Sequence, residues 1–320
     1  MKLLVSTTIC WISVMVVASA AFAAPTATPA PAAAGPVRVR VGTYLLNVSR
    51  LDTETGTYAM DLYLIMHCDA PCGPSAFEIM NGRATDRVAV DDRPRRKVFR
   101  LQAMLSAPMD LRKYPFDTHR LSLIIEDGKI EAAGEVGQTI EDQVYLVDPG
   151  QTGVAASVGV AGWEVDPRWQ ARTYEFAYAP FGETYSRYEF SVRIRRPVLS
   201  ALLKVVLPAI FLFTVGLLSL FLLPEKVTER LALATSALVV SVLLHLNVTS
   251  TLPPVGYLTF ADKFMLGNYA ALVLIILAAV VMTRFSEREE DARMLRVRTI
   301  SLIAIPAVWV VLQALNVLTL

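Results

Sequence analysis

The sequence predicts a two-part chain: an immunoglobulin-like antiparallel β-sandwich followed by four membrane-spanning helices. Residues 37–196 alternate apolar and polar side chains between frequent turn signals, and four long apolar runs follow residue 196. The 320 residues are 54% hydrophobic and carry a formal net charge of +1. This balance disfavours nucleic-acid binding and favours a membrane protein with one soluble domain.

The N-terminus predicts a cleaved secretory signal over residues 1–23. Lys2 precedes an apolar run over residues 3–17, and small residues ending in AFA follow. An uncleaved anchor helix is the alternative, but the apolar run is short and leads directly into APTATPAPAAAGP. That Pro/Ala tract, residues 24–36, predicts a disordered leader.

Removal of the signal would leave Cys68 and Cys72 as the remaining cysteines. In an oxidising compartment, an isolated pair four residues apart predicts a small disulfide loop. A reduced or metal-bound pair is the alternative, with His67 and Asp69 beside it. Zinc usually takes four ligands, so we predict a disulfide, no metal site and no cofactor.

The predicted sandwich spans residues 37–196. Short alternating runs are separated by turn signals such as DTETG at 52–56 and EDGK at 126–129. This spacing favours an antiparallel sandwich over an α/β domain. The sequence contains no Gly-rich phosphate loop, nucleophile elbow or metal-spaced histidine cluster, so we do not expect an enzyme.

The membrane domain is predicted over residues 197–320. Its apolar runs cover residues 198–223, 231–252, 264–282 and 300–320. The join before the fourth run, SEREEDARMLRVR, is rich in arginine, and such loops stay in the cytoplasm. We therefore expect a multi-pass protein of the bacterial inner membrane, with both termini and the sandwich on the periplasmic side.

One face of the second apolar run carries small or polar residues at its ends and apolar residues in its middle. At helical spacing this stripe comprises Ala232, Ser236, Val239, Leu243, Leu246 and Ser250. It suits either a pore lining or packing against neighbouring helices.

Glu229 lies just before the inner end of that stripe. Around a central axis it would form a carboxylate ring that concentrates cations, and the apolar middle of the stripe would stop ions by dewetting. The alternatives are a pair with Lys226 or Arg230, or an acid favoured by the helix dipole.

Several motifs follow one another in an order that resembles the bacterial pentameric ligand-gated ion channels, relatives of the Cys-loop receptors. They are SAPMDLRKYPFDTHRLSL at 106–123, RIRRPVLSALLKVVLP at 193–208, ERLALATSALVVSVLLHLNVTSTLPP at 229–254 and YLTFADKF at 257–264. The resemblance extends from about residue 41 to the C-terminus. It implies a homopentamer in which each chain has four identical partners and the stripe from Glu229 to Ser250 lines the pore.

The resemblance also implies a set of residues that couple the two domains. The turn formed by Tyr114, Pro115, Phe116 and Asp117 would rest on the membrane domain, and Asp117 would pair with Arg196. The β-turn containing Asp52 and Glu54 would approach the same place. The Asp117–Arg196 contact is expected to be a partly buried coupling pair, and an ordinary surface ion pair is the alternative.

The family's ligand site has aromatic walls, and much of that set is missing here. The link CDAPCGPSA at 68–76 is short, and EDGKIEAAGE at 126–135 has no aromatic residue. The remaining ligand-binding candidates are Tyr178, Phe181, Tyr185 and Tyr188. A cation–π cage needs several converging rings, so an amine agonist is disfavoured.

Protons are the competing stimulus. His119, two residues after Asp117, is the possible proton sensor, and the interface carboxylates Asp52, Glu54 and Asp117 are alternatives. His119 could instead be a solvated, silent side chain, and His245, which is off the stripe, a simply packed one.

We therefore expect a ligand- or proton-gated channel that passes monovalent cations passively across the inner membrane, in contact with lipid. The alternatives are a non-conducting, membrane-anchored sensor of the same fold and an anion-selective channel. A secondary transporter is disfavoured because the sequence shows no repeated helix set.

Overall fold

A computed structural model describes residues 36–72, 77–127, 143–180, 182–223, 225–250 and 252–319. The predicted signal at 1–23, the leader up to residue 35, and Phe181 lie outside the described residues.

Between residues 36 and 196, the described residues form ten strands. They are β1 Val37–Asp52, β2 Thr57–Cys68, β3 Phe77–Ile79, β4 Gly82–Arg93, β5 Arg96–Ser106, β6 Thr118–Asp127, β7 Gln143–Val147, β8 Gly153–Val154, β9 Glu164–Tyr178 and β10 Glu183–Arg195.

The strands form the two sheets of a sandwich. The first has the order β4–β5–β2–β1–β7, with β8 also paired to β1, and the second has the order β3–β6–β10–β9. The predicted antiparallel arrangement is incomplete, because β7 and β8 run parallel to β1. These strands are far from β1 in sequence, so no hairpin fixes their direction.

The sandwich core is formed by the alternation that the sequence shows. In β2, Tyr58, Met60 and Leu62 are buried while the residues between them are partly exposed. In β10, Phe190 and Val192 point into the same core from the opposite sheet. Each sheet thus buries one set of alternating side chains against the other.

Four helices long and apolar enough to span a membrane follow the sandwich. They are α1 Val198–Phe221, α2 Val227–Thr249, α3 Phe260–Glu287 and α4 Asp291–Val317. Three begin before the predicted apolar runs. The side chains of Thr259 and Asp262 form a capping box that starts α3, and α4 continues into the arginine-rich segment.

Helix packing orders the membrane domain. Gly216 of α1 lies so close to α3 that a Cβ there would be 2.5 Å from Leu272 Cδ2. Phe213 of α1 stacks on Trp309 of α4 with 4.7 Å between ring centroids. These contacts pack α1 against α3 and α4 through small and aromatic residues.

Candidate functional site

The loop between β5 and β6 is hydrogen-bonded to the membrane helices through its backbone. The amide of Phe260 donates to the carbonyl of Arg112 at 2.8 Å, and the amide of Ala261 donates to the carbonyl of Tyr114 at 3.1 Å. The first turn of α3 leaves such amides without partners inside the helix. The loop satisfies two of them.

Side chains of the same loop extend this contact to α2. The Tyr114 hydroxyl donates to the carbonyl of Val248 at 3.3 Å, and the Leu111 amide donates to the Tyr257 hydroxyl at 3.0 Å. Phe116 meets the Phe260 ring edge-on at 5.3 Å. The Tyr114–Pro115 peptide bond is cis. The loop therefore contacts the end of α2, the start of α3 and the link between them.

Asp117 bonds two side chains at the membrane end of the sandwich, one through each of its carboxylate oxygens. Arg196 Nε donates to Oδ1 at 2.7 Å, and His119 Nε2 lies 2.6 Å from Oδ2. The Arg196 amide also donates to the Asp117 carbonyl at 3.3 Å. Asp117 is only 1% exposed. The Arg196 side chain is 24% exposed, so the contact is a partly buried ion pair, as expected, and not an ordinary surface pair.

His119 is buried in the same cluster, which contradicts the alternative of a solvated side chain. It is 5% exposed, and its ring meets Trp163 edge-on at 5.3 Å. The Arg196 guanidinium lies over Trp163 at 4.3 Å and over Tyr114 at 5.0 Å. Cation–π contact on two faces orients that guanidinium toward the carboxylate.

Trp163 is a member of this cluster that sequence reasoning did not assign. It lies just before β9, outside any alternating run and any recognisable motif. The only sequence signal for it was the rarity of its residue type, since the chain has four tryptophans.

The described side-chain hydrogen bonds of the β1–β2 turn are all made within the turn. Asp52 accepts the Glu54 amide and the Thr55 hydroxyl, each at 2.8 Å. The Thr55 hydroxyl, followed by that amide, lowers the pKa of Asp52. The Gly56 carbonyl accepts a hydrogen bond from the amide of Ala107, which is at the start of the loop that contacts the membrane helices. The turn therefore touches that loop through its backbone.

The predicted stripe of α2 is exposed along its whole length in the single chain. Val239, Leu243 and Leu246 are 58–60% exposed. Residues on the other side of the same helix are buried, including Ala234, Ala237, Ser241 and Val248. The structure thus leaves the predicted pore face without a partner and packs the opposite face against neighbouring helices.

Glu229 is exposed at the N-terminal end of the stripe. Its carboxylate accepts Lys226 Nζ at 3.1 Å, whereas Arg230 donates to the carbonyls of Leu222 and Leu223. Among the described contacts, Glu229 therefore pairs with Lys226 and not with Arg230. Arg230 is buried and Glu229 is exposed, because adjacent helical residues point about 100° apart.

His245 is off the stripe, as expected, but it is more than a packed side chain. Its Nε2 lies 2.8 Å from Asp262 Oδ1 and its Nδ1 lies 2.9 Å from the Tyr269 hydroxyl. These bonds connect α2 to α3 near the loop contacts. The three residues share no local motif, so their contacts could not be predicted from the sequence.

The β9–β10 hairpin already contains a cation. The Arg187 guanidinium lies 3.5 Å from the centre of the Phe176 ring and donates to the Tyr178 hydroxyl at 2.7 Å. Arg187 also bonds Glu126, which accepts the Tyr178 hydroxyl at 3.0 Å. Tyr185 meets Tyr178 edge-on at 5.1 Å. An amine would have to compete with the chain's own arginine for these rings.

Tyr188 does not belong to a surface ligand site. It is fully buried, and its hydroxyl donates to the Thr43 hydroxyl at 3.1 Å. Burial raises its pKa. As an inward-facing residue of β10 it packs the sandwich core, so its assignment as a ligand-binding candidate is wrong.

The disulfide prediction is confirmed, since Cys68 and Cys72 are bonded. It links the end of β2 to the following segment. Within the described ranges, no group of three or more His, Cys, Asp or Glu side chains could hold a metal ion.

No protein-family model matches the chain. A proton-gated ion channel of Gloeobacter violaceus is 21% identical over 307 residues, covering 88% of this chain and 82% of that protein. The γ-aminobutyric acid receptor subunit β-4 of Gallus gallus is 23% identical over 181 residues, which cover 56% of this chain and 35% of the subunit. Neither relative is named as an enzyme.

Proposed function

This chain is homologous to a proton-gated ion channel and to a γ-aminobutyric acid receptor subunit, which indicates a bacterial pentameric ligand-gated channel; from that premise we propose that it forms a homopentamer passing monovalent cations across the bacterial inner membrane. The sandwich would lie in the periplasm and receive the stimulus, either a small molecule or protons. Flow would be passive.

The exposed stripe of α2 is the observation that carries this proposal. Val239, Leu243 and Leu246 leave one continuous apolar face uncovered in the single chain, while Ala234 and Ser241 are buried behind it. Around a five-fold axis, such faces would enclose a pore, with apolar rings able to exclude water and ions. Small side chains at Ala232, Ser236 and Ser250 would leave the ends wide.

Cation selectivity is proposed from Glu229. Its carboxylate is exposed at the inner end of the stripe, and its bond to Lys226 is a solvent-exposed i,i+3 pair. Such pairs contribute little, so the carboxylate stays available to permeating ions. Five copies would place five negative charges at one constriction.

Gating is proposed to act through the loop 111–117. Displacement of this loop would move the end of α2 through Tyr114 and Val248, and the start of α3 through the amides of Phe260 and Ala261. The Asp117–Arg196 pair would transmit the same displacement to α1, which follows directly after Pro197. The Asp52–Glu54 turn would act on this loop through Gly56.

The stimulus is proposed to be a proton or a small molecule. His119 shares the Asp117 carboxylate with Arg196, so a change in its charge would act directly on the coupling pair. Asp117 itself is an alternative sensor. A small molecule would use the hairpin rings of Tyr178 and Tyr185. Phe181 remains a ligand-binding candidate on the sequence alone.

The deciding experiment is a reversal-potential measurement on reconstituted protein in asymmetric NaCl. The Leu243→Ser background should conduct without a stimulus because it wets the constriction, so selectivity is measured whatever the agonist. We expect the reversal potential to follow sodium and to shift toward chloride in Glu229→Ala. The matched control is Glu225→Ala, which removes an exposed carboxylate in the preceding turn.

Each alternative predicts a different recording. A reversal potential that follows chloride with Glu229 present would favour the anion-selective channel. A protein that never conducts, even in the Leu243→Ser background, would favour the non-conducting sensor. Acidification of the periplasmic side then tests protons as the stimulus.

A further inference from the structure

The outward face of the second sheet carries a cluster of charges that the proposed function does not use. We call it the outer-sheet arginine cluster. It lines three adjoining cavities and comprises Arg120, Arg168, Arg172, Arg193 and Arg195 with Glu164, Asp166 and Glu189. The arginines outnumber the carboxylates.

Each carboxylate of the cluster is held by one particular arginine. The three pairs are Arg168–Asp166 at 2.9 Å, Arg172–Glu189 at 2.6 Å and Arg195–Glu164 at 2.7 Å. The Arg168 pair is bidentate, since Nε also donates to Asp166 at 3.0 Å. These three bonds occupy all three carboxylates of the cluster with three of its five arginines.

The other two arginines, Arg120 and Arg193, face each other. They are directly opposite on the antiparallel strands β6 and β10, and both are exposed. Within the described part of the chain, neither makes an ion pair or a side-chain hydrogen bond, although Arg193 also lies directly opposite Asp166 of β9, whose carboxylate is bonded to Arg168. Like charges directly opposite across a ladder are destabilising. An anion between them would remove that repulsion.

The surface beside this pair is shaped to receive such an anion. A cavity of about 140 Å³ is lined by both arginines, by the bonded pair Arg168–Asp166, and by Gln170 and Ser191. Two rungs along the ladder, on the same face of the sheet, Ser191 pairs with Ser122, so small side chains leave a depression beside the guanidinium groups. The exposed Gln170 amide adds a neutral hydrogen-bond donor to the two charged ones, whereas the Ser191 hydroxyl donates to the Gln170 carbonyl at 3.5 Å.

We propose that Arg120 and Arg193 form a binding site for a small oxyanion, such as phosphate or a dicarboxylate. A guanidinium presents a planar fork of donors that matches the oxygens of phosphate and carboxylate, and two opposed forks hold both sides of one ion. The same chemistry would accept a free ion of the periplasm or the phosphate of an anionic lipid. Binding itself is independent of the proposed channel function.

The test measures thermal unfolding of the full-length protein in neutral detergent with inorganic phosphate, against NaCl of equal ionic strength. We expect a saturable rise in the unfolding midpoint with phosphate. Arg120→Gln and Arg193→Gln should each weaken the apparent affinity about tenfold or more. Arg83→Gln is the matched control, since it removes an exposed arginine from β4 on the other sheet.

A second arm distinguishes the two sources of the anion. Vesicles of phosphatidylcholine with and without phosphatidylglycerol replace phosphate, and retained phosphatidylglycerol is counted by mass spectrometry after extraction. The site is supported if the protein binds phosphate or phosphatidylglycerol and if both Arg120→Gln and Arg193→Gln lose that binding. Arg120→Lys and Arg193→Lys, which keep the charge, should bind with intermediate affinity and serve where a glutamine variant does not fold. Wild-type affinity in all these variants, or no binding of either probe, overturns the proposal.

Discussion

Replacement of Asp117 by Asn tests the coupling pair with the smallest change of shape. Asparagine keeps an oxygen that accepts a hydrogen bond from Arg196 and removes the charge. Because Asp117 is 1% exposed, the substitution leaves a guanidinium that is 24% exposed without its counter-ion. Breaking a buried pair from one side costs about 3–5 kcal/mol.

The lower end of that range applies here. Arg196 keeps some water and its contacts with Trp163 and Tyr114, so we expect a cost of about 3 kcal/mol. If the pair forms in only one of the closed and open states, this cost changes the stimulus concentration at half-maximal activation on the order of 100-fold. The shift is smaller in proportion if both states keep the pair.

The assay is a double-mutant cycle of Asp117→Asn and Arg196→Gln, read in activation midpoint and in thermal unfolding. Size-exclusion chromatography of each variant checks assembly. The control cycle uses Glu164→Gln and Arg195→Gln, a pair with the same 2.7 Å bond but with side chains 49% and 67% exposed. Exposed pairs contribute less than about 1 kcal/mol. A coupling free energy between 117 and 196 no larger than that of the control would refute the buried-pair argument.

Three further predictions use other parts of the chain. Leu243→Ser should conduct in the absence of stimulus because a polar ring wets the constriction, whereas Leu315→Ser, on an exposed face of α4, should stay closed in single-channel recordings. Burial raises the pKa of Tyr58 to about 12, so its contribution to stability is intact below pH 10 and falls by about 3 kcal/mol as the pH rises from 10 to 12; alkaline unfolding of Tyr58→Phe should lack that loss. Intact-mass analysis should show a gain of two hydrogens on reduction of Cys68–Cys72, and Cys68→Ser should show none.

The architecture was predictable because its signals are local. Alternation within β2 and β10 fixes which side chains point inward, and a run of apolar residues identifies each membrane helix. The parallel pairing of β7 and β8 with β1 was not predictable, because it depends on strands far apart in sequence. The start of α4 was missed because hydropathy detects where a helix meets the membrane, whereas Arg293 and Arg296 continue the same helix outside the apolar run.

The candidate site was predictable only in part. Its loop and the Asp117–Arg196 pairing followed from a family resemblance and not from spacing, since one residue precedes β6 and the other follows β10, 79 residues apart. Trp163 and the His245–Asp262 contact were missed because each is created by tertiary packing. The aromatic hairpin was misjudged at Tyr188, where alternation along β10 already pointed inward.

Strands β6 and β10 connect the coupling cluster to the outer-sheet arginines. His119 faces the cluster and Arg120 faces outward, because successive residues of a strand point to opposite faces. Arg120 is three residues from Asp117, a distance of roughly 10 Å along the strand. On β10, Arg193 is three residues from Arg196, and the ladder between the two strands continues to the pair Arg195–Thr118. An anion held by Arg120 and Arg193 would therefore fix the separation of the same two strands whose ends carry the coupling pair.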